Sequence, residues 1–206
     1  DLRYLDVERQ YVLAFLSFLA VPLVVNSNMV KQDEIKSYRD LLNPKWKDNI
    51  VMLDPTKPGF PGQWFQVIGF ELMDLDFMRA LAQQKPIIVT DKRTPVEWLA
   101  KGKYPLAIGV SPEMIKEFID AGAPLAYLSH MQEGTYTSSG GGNIAVMNQR
   151  PHPNASKLFA NWLLTKEAQT FFIKAYGTPS SRIDVPAVGI NPLHIPDPKV
   201  KYFWAD

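Results

Sequence analysis

The sequence predicts an α/β fold built on a mixed, largely parallel sheet. Short apolar runs of strand length recur along the chain, at Ile50–Leu53, Pro86–Val89, Pro105–Gly109 and Leu125–Leu128. Segments with helix-start chemistry alternate with them, and that alternation at this spacing is the pattern of βαβ units. Ile50-Val51-Met52-Leu53 is apolar at every position, as expected of a strand covered on both faces.

Taken in order, Tyr11–Phe18 and Val21–Asn26 are rich in Val, Leu and Phe and read as extended segments. Ser37, with Asp40 three residues later, resembles a capping box opening a short helix that ends before Pro44. The strand Ile50–Leu53 follows, then two Pro-Gly turns and a helix over about Gly62–Leu72. Asp74 caps a helix over Leu75–Gln83. Thr94-Pro95-Val96-Glu97 combines an N-cap, a Pro at the first helical position and an early acid, and Gly102 stops that helix. Ser111-Pro112-Glu113 starts the next one, closed by Gly122. Glu133–Asn143 is a polar, glycine-rich connector leading to a strand over Ile144–Met147. Asn154 caps a helix to Leu164, and Thr165 caps another to Tyr176, stopped by Gly177. The Pro-rich remainder reads as loop wrapping a surface.

The 206 residues fit one domain or two small lobes, and 46% hydrophobic with 21% charged residues is an ordinary globular balance. A net charge of +1 supplies no basic excess for a nucleic-acid surface. The absence of Cys excludes disulfides and thiol catalysis. Tyr11–Val25 is the most apolar stretch, but it is shorter than the roughly 20 residues a membrane span needs, and it contains Pro22. Asp6 and Glu8 argue against a signal peptide here. The opening at Asp1 reads as processing or cropping, and the apolar first strands, which want neighbours, favour cropping.

Strand, glycine loop and helix start at Ile50–Trp64 aim backbone N–H groups at one point, which favours an anion; the same glycines equally serve a sharp turn. The starts at Gly62–Trp64, Thr94–Glu97 and Ser111–Glu113 each follow a strand, so they belong to the carboxyl edge of an open sheet, where ligands bind. His130, His152 and His194 have no partner at motif spacing, and the hydrolase, zincin and P-loop motifs are absent. His130 with Glu133 offers two metal ligands where zinc usually takes three or four. No enzyme, no metal site and no cofactor is therefore expected. Trp64, Phe65, Phe171 and Phe172 sit at helical positions and read as core. Ser138-Ser139-Gly140-Gly141-Gly142 lacks the lysine of a phosphate loop and reads as a flexible crossing.

Six stretches carry a resemblance to a known family: Asp40–Lys47 (DLLNPKWK), Ile50–Thr56 (IVMLDPT), Leu99–Gly109 (LAKGKYPLAIG), Gly140–Val146 (GGGNIAV), His152–Phe159 (HPNASKLF) and Trp162–Gln169 (WLLTKEAQ). In this order they resemble the type 2 periplasmic solute-binding proteins of ABC importers, in the branch that includes ferric-iron binders. The resemblance implies a carboxyl-terminal portion of such a protein. Residues 1–26 would be crossing strands into the second lobe, 27–132 that α/β lobe, 133–147 the return crossing, and 148–206 helices and tail packing on the first lobe. It also implies a small-molecule or ion solute, a membrane permease of the ABC transporter as partner, no nucleic acid, a periplasmic or cell-surface location, and a monomer at full length. The expected ligand-binding residues are Thr56, Gly59, Gly62, Gln63, Trp64, Arg93, Thr94, Ser111, Glu133 and Tyr136. Ferric members hold iron with an adjacent tyrosine pair, and none of the eight tyrosines here is adjacent to another. An anionic solute fits the helix starts and Arg93 better. Ferric transport is the first alternative, and the effector domain of a transcription regulator, which uses the same fold, is the second.

Overall fold

The structure, a computed structural model, describes residues 3–21, 23–31, 33–128, 131–197, 200 and 202–205. His130 lies outside the described residues. In chain order the strands are β1 (Arg3–Tyr4), β2 (Val12–Ala14), β3 (Phe18–Leu19), β4 (Leu23–Asn26), β5 (Ile50–Leu53), β6 (Ile87–Val89), β7 (Leu106–Ile108), β8 (Leu125–Leu128), β9 (Tyr136–Ser138), β10 (Asn143–Ala145) and β11 (Phe203–Trp204). The α-helices are α1 (Phe60–Gln66), α2 (Leu75–Gln83), α3 (Thr94–Ala100), α4 (Pro112–Asp120), α5 (Pro153–Leu163) and α6 (Lys166–Tyr176). The chain divides into two compact units. Unit 1 is Asp1–Leu19 with Thr137–Val200, and unit 2 is Ala20–Tyr136 with Lys201–Ala205.

Unit 2 is built on a five-stranded sheet in the order β6-β5-β7-β4-β8. The sheet is mixed. Strand β5 pairs parallel with β6 and with β7, while β4 pairs antiparallel with β7 and with β8. All four residues of β5 are buried, as are the three of β7, as expected of strands covered on both faces. Strand β6 ends the sheet and exposes Ile87 and Ile88. The capping box forms as expected: the Ser37 hydroxyl accepts from the backbone of a short 3-10 turn, Tyr38–Leu42, and Asp40 accepts from the Ser37 N–H at 2.9 Å. Asp74 caps α2 through the Phe77 N–H at 2.7 Å. Helix α1 starts at Phe60, two residues before the expected start, and continues as a π-helical segment to Leu72.

Unit 1 pairs β2 antiparallel with β1 and with β10, and β3 with β9. Its core is Phe15, Leu16, Leu163, Ile173, Val185 and Ile190. Thr165 caps α6 through the Ala168 N–H, and Gly177 ends it in the left-handed region. Three expectations need correction here. Helix α5 is capped by His152, with Pro153 and not Asn154 opening it. The residues after Gly177 do more than wrap a surface, since Val185 and Ile190 close the core. Phe171, expected in the core, is 64% exposed. The glycine-rich stretch is a place of close approach: a Cβ at Gly142 would lie 2.3 Å from Leu16 Cβ, and the Gly142 carbonyl accepts from the Phe15 N–H at 2.8 Å.

Candidate functional site

The site is built on the three parallel strands of unit 2. Because β6, β5 and β7 are adjacent and parallel, with Leu53 opposite Val89 and Met52 opposite Ile108, their carboxyl ends share one edge of the sheet. The segments leading to α1, α3 and α4 all leave from that edge. Sequence reasoning therefore placed Thr56, Gly59, Gly62, Gln63, Trp64, Arg93, Thr94 and Ser111 on loops and helix starts that the topology brings to the same side.

The first loop is shaped by Asp54, whose Oδ1 accepts from the Thr56 N–H at 2.9 Å and from the Thr56 hydroxyl at 2.7 Å. The Thr56 hydroxyl, followed by its N–H, holds the Asp54 carboxyl below its ordinary range. Gly59, at φ +100° and ψ −155°, occupies a backbone region essentially reserved for glycine and caps α1 without a side chain. Gly62 is a packing glycine: a Cβ there would meet the Lys57 carbonyl oxygen at 2.7 Å. Gly109, at φ +80°, ends β7, and a Cβ there would lie 3.3 Å from Pro61 Cβ. The first turn of α1 is thus seated directly on the end of β7. Gln63 is half-buried, and Trp64 is buried with its indole Nε1 lacking a hydrogen-bond partner among the described residues.

The second loop corrects one expectation. Thr94 does not cap α3; Asp91 does. Its Oδ1 accepts from the N–H groups of Arg93 and Thr94 and from the Thr94 hydroxyl, at 3.1, 2.8 and 2.7 Å. The Thr94 hydroxyl and N–H lower the Asp91 pKa. Arg93 is exposed, with its Nε 2.9 Å from Glu97 Oε1 and its guanidinium 5.4 Å from the centre of the Phe118 ring. Its charge is therefore already shared with an acid one turn along. Ser111 stands at the start of α4 with extended backbone and makes no side-chain cap.

Glu133 precedes β9 and Tyr136 opens it, so neither comes from the three edge loops. Glu133 accepts from the Ser37 hydroxyl and, at 3.2 Å, from the Tyr38 N–H, so its carboxylate is engaged in holding the 3-10 turn. The Tyr38 hydroxyl donates to the Gly134 carbonyl at 3.2 Å. Tyr136 is fully buried, with its ring 6.4 Å from that of Phe60, the first residue of α1. Its hydroxyl has no hydrogen-bond partner among the described residues. Burial, and then the neighbouring Tyr38, push its pKa above the ordinary phenol value. Sequence reasoning missed Asp54, Asp91 and Tyr38. The first two were legible as acids two and three residues ahead of a Thr, the spacing of an Asx turn.

Among the described residues no three His, Cys, Asp or Glu side chains gather into a metal-binding group. No helix among them is long and apolar enough to cross a membrane. A profile of the bacterial extracellular solute-binding proteins matches residues 17–200. The chain belongs to this family. No curated protein matches the chain closely enough to add to that. Solved structures place the family's fold. One, described as a two-component system protein mediating signal transduction, has a TM-score of 0.70 at 24% identity, over 87% of this chain and 59% of its own. The periplasmic binding protein AfuA from Actinobacillus pleuropneumoniae, with exogenous fructose-6-phosphate bound, has a TM-score of 0.65 at 22% identity, over 93% and 60%. Iron-bound HitA from Pseudomonas aeruginosa has 0.67 at 18%, over 98% and 67%. At such identities the likeness establishes the fold, that of the periplasmic binding proteins. The chain spans about three fifths of the length of the first two relatives and two thirds of the third.

Proposed function

We propose that the protein is the extracytoplasmic solute-binding component of an ABC importer and holds a small anionic solute at the carboxyl edge of the unit 2 sheet. The observation that supports this reading best is the parallel, side-by-side placement of β6, β5 and β7, which sends three loops from one edge. In open α/β sheets that edge is where ligands bind. The backbone N–H groups at the starts of α1 and α4 orient the anion, with Thr56, Gly59, Gly62, Gln63, Thr94 and Ser111 around them, while those of Arg93 and Thr94 at the start of α3 are held by Asp91. Arg93 adds charge, reduced by its pairing with Glu97. Tyr136 and Trp64 each hold a buried donor without a partner among the described residues and serve as further contacts beside α1. Glu133 has a positioning role, since both its oxygens are taken.

In this reading the protein is a binding protein and not an enzyme. It is a monomer at full length, lies in the periplasm or at the cell surface, and passes its solute to a membrane permease. Ferric iron is the second reading, favoured by the iron-bound structure among the fold relatives. The test is calorimetry of the protein at its native length with fructose 6-phosphate and with ferric citrate as probes. Binding of the sugar phosphate that weakens in Arg93→Ala supports the anion reading. A visible charge-transfer band with ferric citrate, lost in Tyr136→Phe, replaces it with the ferric one.

A further inference from the structure

The loop between β6 and α3 carries a cation where local helix chemistry disfavours one. Arg93 stands immediately before α3, at the end whose dipole opposes positive charge. It also precedes its acid, Glu97, by four residues, the weaker order for such a pair. The structure nevertheless holds the guanidinium from two helices. On α3, Arg93 Nε donates to Glu97 Oε1 at 2.9 Å. From α4, the ring of the half-buried Phe118 is centred 5.4 Å from Arg93 Cζ. Glu97 divides its own charge, since Oε2 lies 3.9 Å from Lys101 Nζ. The terminal amines of Arg93, Nη1 and Nη2, have no hydrogen-bond partner among the described residues, on a side chain that is 67% exposed. The backbone N–H groups of Arg93 and Thr94 both go to Asp91, so what Arg93 itself offers a solute is the open edge of its guanidinium.

We infer that Phe118 and Glu97 clamp Arg93 so that its open edge reads an oxyanion carrying two oxygens on one atom, a phosphate ester or a carboxylate. This rests on the anion reading above and adds geometry to it: recognition by a fork, and not by charge alone. Phe118 is a positioning residue, acting through Arg93. A planar guanidinium and such a group make two parallel hydrogen bonds, which a point charge on a flexible stem does not reproduce. The bond at Nε fixes one edge of the guanidinium, and the ring of Phe118 supports its face. The plane is therefore set before the solute arrives, and less ordering opposes binding. A cation placed against the helix dipole and then supported from a second helix is a local cost that a binding role explains.

The test is calorimetry of the protein at its native length with fructose 6-phosphate as the phosphate probe and gluconate as the carboxylate, the one that binds identifying the group. Arg93→Lys keeps the charge and loses the fork, and is expected to weaken binding about tenfold. Phe118→Leu is expected to weaken it about threefold, and Phe118→Trp to restore it. With Arg93→Ala already present, Phe118→Leu should have no further effect. The clamp has a readout of its own in the free protein: the Arg93 Nε–H resonance is displaced by the ring current of Phe118 and returns toward the ordinary arginine position in Phe118→Leu. A resonance that does not respond to Phe118→Leu overturns the inference whatever the solute. So does an equal loss of binding from Phe118→Leu with and without Arg93, which is a structural effect only. Wild-type binding in Arg93→Lys or Phe118→Leu, beside weakened binding in Arg93→Ala, overturns the inference and leaves the anion reading standing. Wild-type binding in Arg93→Ala, or a wild-type protein that binds neither probe, overturns both.

Discussion

Replacing Tyr136 with Phe should leave the fold as stable as before, or more so, while weakening solute binding. A buried Tyr hydroxyl with a good partner contributes roughly 0.5–1.5 kcal/mol, and its removal normally costs that much. At Tyr136 the side chain is fully buried and the hydroxyl has no partner among the described residues, so the sign reverses. Burying an unsatisfied hydroxyl costs about 1–3 kcal/mol on protein mutational scales, and Phe removes that cost less the small void it leaves. A gain of about 0–2 kcal/mol is expected, which for a chain of this size raises the melting temperature by up to several degrees. The assay is thermal unfolding by circular dichroism at neutral pH, where a phenol is protonated already at its ordinary pKa and burial raises that pKa further. Binding of the solute to the protein at its native length is measured beside it. A loss of stability above about 1 kcal/mol would show that the hydroxyl has a partner after all. Unchanged binding would remove Tyr136 from the site.

Gly109→Ala should destabilise by about 1–3 kcal/mol, because it places a side chain at positive φ and against Pro61. In a Pro61→Gly background the cost should shrink by more than about 0.5 kcal/mol, and simple additivity in urea unfolding would show that α1 does not rest on β7. Gln169 is fully buried, donating to the Leu163 carbonyl at 2.8 Å and accepting from the Ser180 hydroxyl at 2.7 Å. Gln169→Leu should therefore cost about 1–3 kcal/mol in the same assay. Arg93→Ala should change stability by less than about 0.5 kcal/mol, yet weaken binding of an anionic solute most at low salt. Binding that is unchanged at every ionic strength would make Arg93 a solvated charge. The capping carboxylates set an acid limit. At Asp6, desolvation opposes ionisation but is outweighed by the N–H groups of Gln10, Val12 and Tyr11, which bring its pKa to about 2. Asp54, Asp74 and Asp91 are lowered as well. Folded values below unfolded ones mean stability that is complete above the ordinary carboxylate value and lost as pH falls through the lowered ones. Urea midpoints should be flat between neutral pH and about pH 5, then drop, and Asp6→Asn should make the drop shallower.

What was legible in the sequence was local chemistry with one dominant partner. Ser37 with Asp40, Asp74, and Thr165 with Gly177 were read correctly because each cap is settled within three or four residues. Thr94 looked like the same case, but Asp91 reaches the same N–H groups from further back and takes the role, with Thr94 as a donor to it. Asn154 failed because Pro153 occupies the first helical turn and moves the cap to His152. Thr135–Ser139 read as a polar connector, yet all five residues are buried. Their backbone groups find strand and loop partners, such as Ala20 donating to the Tyr136 carbonyl and Phe203 to that of Thr135, which no local pattern announces. The burial of Val185 and Ile190 likewise depends on α5 and α6 arriving from elsewhere in the chain. Of the candidate site, the sheet edge was legible because β6, β5 and β7 are parallel neighbours, each followed by a helix, which puts three loops on one side. The engagement of Glu133 by Ser37 and Tyr38 was not, since it joins residues nearly a hundred positions apart.

The most direct measurement is hydrogen exchange of the protein at its native length, with and without the solute identified in it by native mass spectrometry. The account expects slowed exchange at the amides of residues 56–64, 93–95 and 111–114, the three loops that leave the carboxyl edge of the sheet. Protection confined to other segments, with these three unchanged, would contradict it.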